Sequence, residues 1–218
     1  MKTIFKLSFL MLILALAVSC KNKGDATEAK AAGEVASTEN AKSFKVNTAA
    51  TKVMWEGTKL TGSHKGTLDV SKGEIAVDNG EIKGGSFTID MTSLSNSDLS
   101  GEQKGKLEGH LKSADFFDVA NHENAKFQIT KVTKLSGDAN ANHMIYGNLT
   151  MKDATKEIGF KANVNINGNA ISVSTPAFKI DRTEWGVEYG SDKFFDNLKD
   201  KAINDDITLS ISLKANAG

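Results

Sequence analysis

Residue types able to do chemistry are few in this chain, and their spacing suits catalysis poorly. Histidine occurs four times, as His64, His110, His122 and His143. His64 and His110 could ligate a metal or move a proton, although histidines that only hydrogen-bond are commoner. His122 and His143 lie in polar stretches with no partner pattern around them. There is no G-x-S-x-G, H-E-x-x-H, C-x-x-C, P-loop or G-x-G-x-x-G motif. Carboxylates are plentiful, but none pair recognisably as acid and base. These residues assign no catalytic group, no metal and no cofactor. A metal- or carboxylate-dependent hydrolase working through His64 or His110 stays as the alternative.

Among 27 basic residues only Arg182 is arginine, and it stands in Asp181-Arg182-Thr183-Glu184. A guanidinium offers a planar, two-pronged fork that lysine cannot. Its position predicts a fixed ion pair near the end of a β-structure; a clamp for a phosphate is the sharper reading. Two aromatic pairs, Phe116-Phe117 and Phe194-Phe195, sit beside acidic residues. They read as lids or as short segments packed on a core. The formal net charge is zero, which argues against a nucleic-acid partner.

The elements that position these residues are mostly strands. Val53, Trp55, Gly57 and Lys59 share one face, so Lys59 points into a mouth unless the parity breaks. Gly85, Phe87, Ile89 and Met91 alternate with their neighbours, as do Phe127 with Ile129, and Ile145, Gly147, Leu149 and Met151. Ile158, Phe160, Ala162, Val164 and Ile166 alternate with polar residues, as do Ile207, Leu209, Ile211 and Leu213. Ser71-Lys72-Gly73, Asp78-Asn79-Gly80 and Asn167-Gly168-Asn169 read as turns. One stretch breaks the rule. From Lys104 to Phe127, Leu107, His110 and Leu111 recur at helical spacing, with lysines and a glutamate on the other side. A short helix and tight turn closing one end of the β-structure are expected, with one of Phe116 and Phe117 in the core and the other over an edge or a mouth. About eight strands in one domain need closure. The chain therefore predicts an all-β fold, an extended antiparallel eight-stranded barrel with one or two short helices. Small inward residues beside large ones would leave room for a ligand.

The N-terminus reads separately. Lys2 and Lys6 precede an apolar run from Leu7 to Val18, too short to span a bilayer but suited to a secretory signal. The run ends Ala17-Val18-Ser19-Cys20 and resembles the lipobox of bacterial lipoproteins, although Ala17 stands where Leu is more usual. Cys20 is the single cysteine, so no internal disulfide forms and lipidation is its natural use. Lys21 to Lys42 is polar and Ala-rich, and reads as a flexible tether. The expected divisions are 1–19 signal peptide, 20–42 tether and 43–216 barrel domain.

Five segments in order resemble the YceI-like family of secreted bacterial proteins. They are Trp55-Glu-Gly-Thr-Lys59 with Gly62-Ser-His64-Lys-Gly66; Gly84-Gly-Ser-Phe-Thr-Ile-Asp90-Met91; Leu107-Glu-Gly-His110-Leu-Lys-Ser-Ala-Asp115-Phe-Phe-Asp118; Gly147-Asn-Leu-Thr150; and Asp181-Arg-Thr-Glu-Trp-Gly186. One departure lies at Val119 to Phe127, where the family often has Tyr-Pro and this chain has Asn121-His122-Glu123-Asn124. The resemblance implies a lipocalin-like barrel whose lumen holds a polyisoprenoid or similar long-chain lipid. The lumen would be lined by Trp55, Phe87, Ile89, Phe127, Ile129 and Leu149, by Ile158, Phe160, Ala162 and Val164, and by Ile207, Leu209 and Ile211. Lys59, His64, His110, Arg182 and Trp185 would lie at the mouth or meet a head group. The expected partners are that lipid and a membrane reached through acylated Cys20, with a homodimer left open. The expected location is the bacterial cell envelope, with the domain in the periplasm or at the surface. The alternatives are the hydrolase above and a ligand-free structural lipoprotein.

The lipobox reading is tested directly. Cys20→Ser should move the protein from the membrane pellet to the soluble fraction. A variant that stays in the pellet as firmly as the parent would refute acylation at Cys20.

Overall fold

The computed structural model describes residues 26–218. The leader, Cys20 and its expected cleavage site lie outside the described residues. In chain order the elements are β1 (Lys30–Ala31), β2 (Lys42–Val46), β3 (Lys52–Lys59), β4 (Gly62–Asp78), β5 (Glu81–Asn96), α1 (Gly101–Lys112), β6 (Asn124–Lys134), β7 (His143–Met151), β8 (Ala154–Asn167), β9 (Ala170–Ser174), β10 (Phe178–Asp181) and β11 (Ile203–Ala217). Three short 3₁₀ turns complete them.

All pairings are antiparallel, and they return to their start. β4 pairs β5, and pairing then runs through β6, β7, β8, β9, β11 and β3 back to β4. β2 continues the line of β3 between β4 and β11. β10 continues the line of β9 on β11. The break between β9 and β10 holds Pro176, the only proline of the chain, which has no N–H for a ladder.

Turn chemistry explains the hairpins. Asn79 and Gly80 both have positive φ, the geometry of a tight two-residue hairpin loop between β4 and β5. Gly168 serves likewise between β8 and β9. The expected turn at Ser71-Lys72-Gly73 is absent. β4 runs straight through it, and the pairing shifts between Val70 and Lys72, so the segment is a β-bulge.

The segment expected to be a tether is also corrected over its described part. Residues 26–42 lie along the wall. Lys30 and Ala31 pair with Glu157 and Lys156. The side chain of Asn148 brackets Gly33, accepting from its amide and donating to its carbonyl, both at 2.8 Å. The Ala36 amide donates to the Ile129 carbonyl at 3.0 Å. The composition argument failed because the segment needs no core of its own: it borrows backbone partners from finished strands.

Helix α1 has no fully buried residue and is fastened by polar contacts as much as by Leu111. The Glu108 carboxylate accepts from the Asn96 amide at 2.7 Å, which holds its pKa below the usual carboxylate range. Lys112 donates to the Thr92 carbonyl at 2.7 Å.

Arg182 is 0% exposed. Its Nη1 donates to the Val187 carbonyl at 2.6 Å, its Nε to Asn204 at 3.1 Å and its Nη2 to Ile203 at 3.0 Å. Asp205 lies 3.6 Å away, and the Phe116 ring lies under the guanidinium at 5.3 Å. The expected ion pair exists, but the fork chiefly satisfies three backbone carbonyls. It ties both ends of the loop spanning residues 187–203 to the barrel, and no face is left open for a phosphate.

Two stability outcomes follow. A lysine at position 182 cannot reach three carbonyls, so Arg182→Lys should cost about 3–5 kcal/mol. Lys161→Ala, which removes an exposed pair with Asp138, should cost about 0–1 kcal/mol. Equal melting temperatures would show that the Arg182 network does not hold the fold. Ala162 is 0% exposed within the packed core. Ala162→Phe should therefore overpack, at about 1–3 kcal/mol and roughly 2–12 °C in Tm. Melting at the parent's temperature would mean there is open space around it.

Candidate ligand cavity

Inside the ring lies a cavity of about 190 Å³. Its wall is drawn from 30 residues on nine of the strands, on α1 and on the segments beside them, so the space is extended rather than compact. Period-two alternation explains its chemistry: each strand turns one apolar set inward and its polar set to water. The lining contains no charged residue. Its one hydroxyl, on Thr175, already accepts from the Ile211 amide at 2.9 Å.

The residues expected in the lumen divide clearly. Trp55, Phe87, Ile89, Phe127, Ile129, Leu149, Ile158, Phe160, Ile207, Leu209 and Ile211 all line the cavity. Ala162 and Val164 do not. Both are buried on the inward face of β8, but they lie beyond the cavity in the packed core. Strand parity gives the face and not the depth along the barrel. Phe116 and Phe117 both line the cavity, correcting the expectation that one would only cover it. They can do so because the backbone after α1 is irregular, so adjacent side chains need not diverge.

The small inward residues mostly accommodate neighbouring rings instead of a ligand. A Cβ on Gly147 would meet the Phe127 ring at 2.3 Å, and one on Gly66 would meet Trp55 at 2.7 Å and the Ser95 carbonyl at 1.8 Å. Gly57 is different: it lines the cavity, and a Cβ there would meet nothing within 4 Å. An aromatic ladder crosses the wall, from Phe87 to Phe127 at 6.3 Å, Phe127 to Phe160 at 5.4 Å and Phe160 to Phe178 at 4.6 Å. The Trp55 Nε1 is buried with no hydrogen-bond acceptor.

The residues expected at the mouth are not gathered into a polar site. His64 Nδ1 lies 2.8 Å from Asp98, whose carboxylate also accepts from the Lys65 and Asn96 nitrogens. The Lys65 amide first, then His64, hold the Asp98 pKa down to about 2. This cluster fastens the end of β5 to β4. His110 packs edge-on against Tyr189 at 4.6 Å and Phe116 at 5.8 Å. Trp185 is buried and donates to the Leu149 carbonyl at 3.0 Å, outside the lining. Lys59 follows Gly57 on the same strand face but is exposed at the strand's end. Among the described residues no group of three His, Cys, Asp or Glu is placed to hold a metal. No helix among them is long and apolar enough to cross a membrane.

Sequence reasoning did not place Leu111, Phe178 or Met151 in the cavity. Alternation could have found Met151, but the other two depend on how α1 and β10 dock.

Comparison with known proteins agrees with this architecture. The model of the YceI-like domain family matches residues 44–215. A UPF0312 protein of Pseudomonas putida is 33% identical over 103 residues, which cover 47% of this chain and 50% of that protein. The chain thus spans about half the length of the curated relatives it matches. Among solved structures, Burkholderia cenocepacia BcnA superposes with a TM-score of 0.62 at 18% identity, covering 78% of this chain and 99% of BcnA. A polyisoprenoid binding domain from Saccharophagus degradans, implicated in plant cell wall breakdown, gives 0.57 at 14% identity, covering 85% and 100%. A Campylobacter jejuni YceI protein variant gives 0.52 at 22% identity, covering 74% and 84%. With the family model covering nearly the whole ring of strands, the chain belongs to the YceI-like domain family.

Proposed function

We propose that this domain holds a long-chain, isoprenoid-type lipid in its lumen, as carrier, store or sequestering protein, and that acylated Cys20 tethers it to a bacterial membrane. One observation carries the reading. The cavity is extended and wholly apolar in its open lining, and apart from the Trp55 N–H the polar groups named around it are engaged with backbone or with each other. Such a space offers a reacting group nothing to work with. It offers a hydrocarbon chain burial worth about 0.8 kcal/mol per methylene. A relative of the same fold is described as a polyisoprenoid binding domain, which supports the ligand class. The Trp55 N–H, buried without an acceptor, fits a lipid bearing an oxygen better than a bare hydrocarbon.

Gly57 provides the test, because it lines the cavity and a Cβ there meets nothing within 4 Å, so a larger side chain would take up lumen space. Gly57→Trp should fold and melt near the ligand-free parent. It should also lose the lipid that mass spectrometry detects in an organic extract of the natively purified chain from Lys21 onward. A parent that yields no long-chain lipid, or a Gly57→Trp variant that retains it, would refute lumen binding.

A further inference from the structure

One part of the wall is not built from paired wall strands. β10 bonds to β11, while β8 bonds to β7, β9 and β1, so no ladder joins β8 to β10. Residues 26–31 fill that seam. The Thr27 amide donates to the Lys179 carbonyl of β10 at 2.7 Å, and its hydroxyl donates to the Gly159 carbonyl of β8 at 2.6 Å. Thr27 thus bridges both banks. Glu28 and Lys30 are exposed and pair with each other at 3.4 Å, while Ala29 packs on the core. Behind this strap, Phe160 of β8 stacks on Phe178 of β10 with the rings 12° from parallel. Both rings line the cavity. Along the seam, the barrier between lumen and exterior is one short strap, with Ala29 toward the core, and one pair of rings.

The other boundaries are held harder. At the α1 end, Arg182, Glu108 and Lys112 fasten the loop and helix. Beyond Val164, β8 and β9 pair closely down to their hairpin, with Ala162 and Ile171 buried. The strap has only two residues in register with β8. It also begins six positions after Cys20, a span of at most about 20 Å when extended. An acylated Cys20 therefore keeps the seam close to the bilayer.

We propose that the β8–β10 seam is a side doorway facing the anchoring membrane, through which a lipid passes between bilayer and lumen when residues 26–31 lift away. The proposal rests on lumen binding as read above. The strap is the gate because its few contacts, unlike the interstrand ladders, can be lost without opening the ring.

The test measures transfer of a dansyl-labelled polyprenol from phosphatidylcholine vesicles into the chain from Lys21 onward, which contains every described residue. Thr27→Pro removes both bridging contacts and should speed transfer roughly tenfold, the order expected for two lost hydrogen bonds. A chain beginning at Ala32 should be at least as fast. Lys112→Ala removes one contact at the α1 end and should leave the rate unchanged. If Thr27→Pro transfers at the parent's rate, or only Lys112→Ala speeds transfer, the doorway is not at the seam. If no form takes up the probe, lumen binding fails and the doorway with it.

Discussion

Closure of the backbone hydrogen bonding is the constraint on which the rest of this structure depends. An open sheet must protect its edges and needs a packed layer on its apolar face. Here the ladder returns from β3 to β4, so the wall is held by its own pairing. The interior can then remain partly unfilled. That is a physical precondition for a binding lumen, and it explains how so many large apolar side chains can face a shared space instead of interlocking throughout.

Polar chemistry is displaced to the ends by the same logic. A charge inside this lumen would lose hydration and find no partner. Arg182, Asp98 and Glu108 instead satisfy backbone groups where strands stop and loops begin. Arg182, whose fork suggested a ligand clamp, is engaged with backbone carbonyls in this way. The buried guanidinium matters because loop carbonyls near an apolar core would otherwise go without donors.

The seam shows what closure leaves unfinished. Pro176 breaks the strand that would have run beside β8, and the N-terminal segment covers the gap. This gives residues 26–31 a structural role out of proportion to their composition. It also links the wall of the lumen to the region expected to carry the membrane anchor.

Much of this was legible in the amino-acid order. Alternation fixed which residues of β5, β6, β8 and β11 face inward, because successive strand side chains must point to opposite sides. Asn79-Gly80 and Gly168 marked their hairpins, because positive φ is easiest for those residues. Depth along the barrel was not legible: Ile158 and Ala162 share a face, yet only Ile158 meets the cavity. Whether a small residue makes room for a ligand or for a neighbour's ring was equally hidden. Gly147 and Gly57 look alike in sequence, and the positions of Phe127 and the Gln128 carbonyl distinguish them. The strap was invisible for a related reason. A polar, Ala-rich segment cannot fold by its own burial, but it can be ordered by backbone partners that other strands present. Local pattern thus determined faces and turns, while depth, occupancy and docking were decided by contacts between segments far apart in the chain, which exist only once the ring has closed.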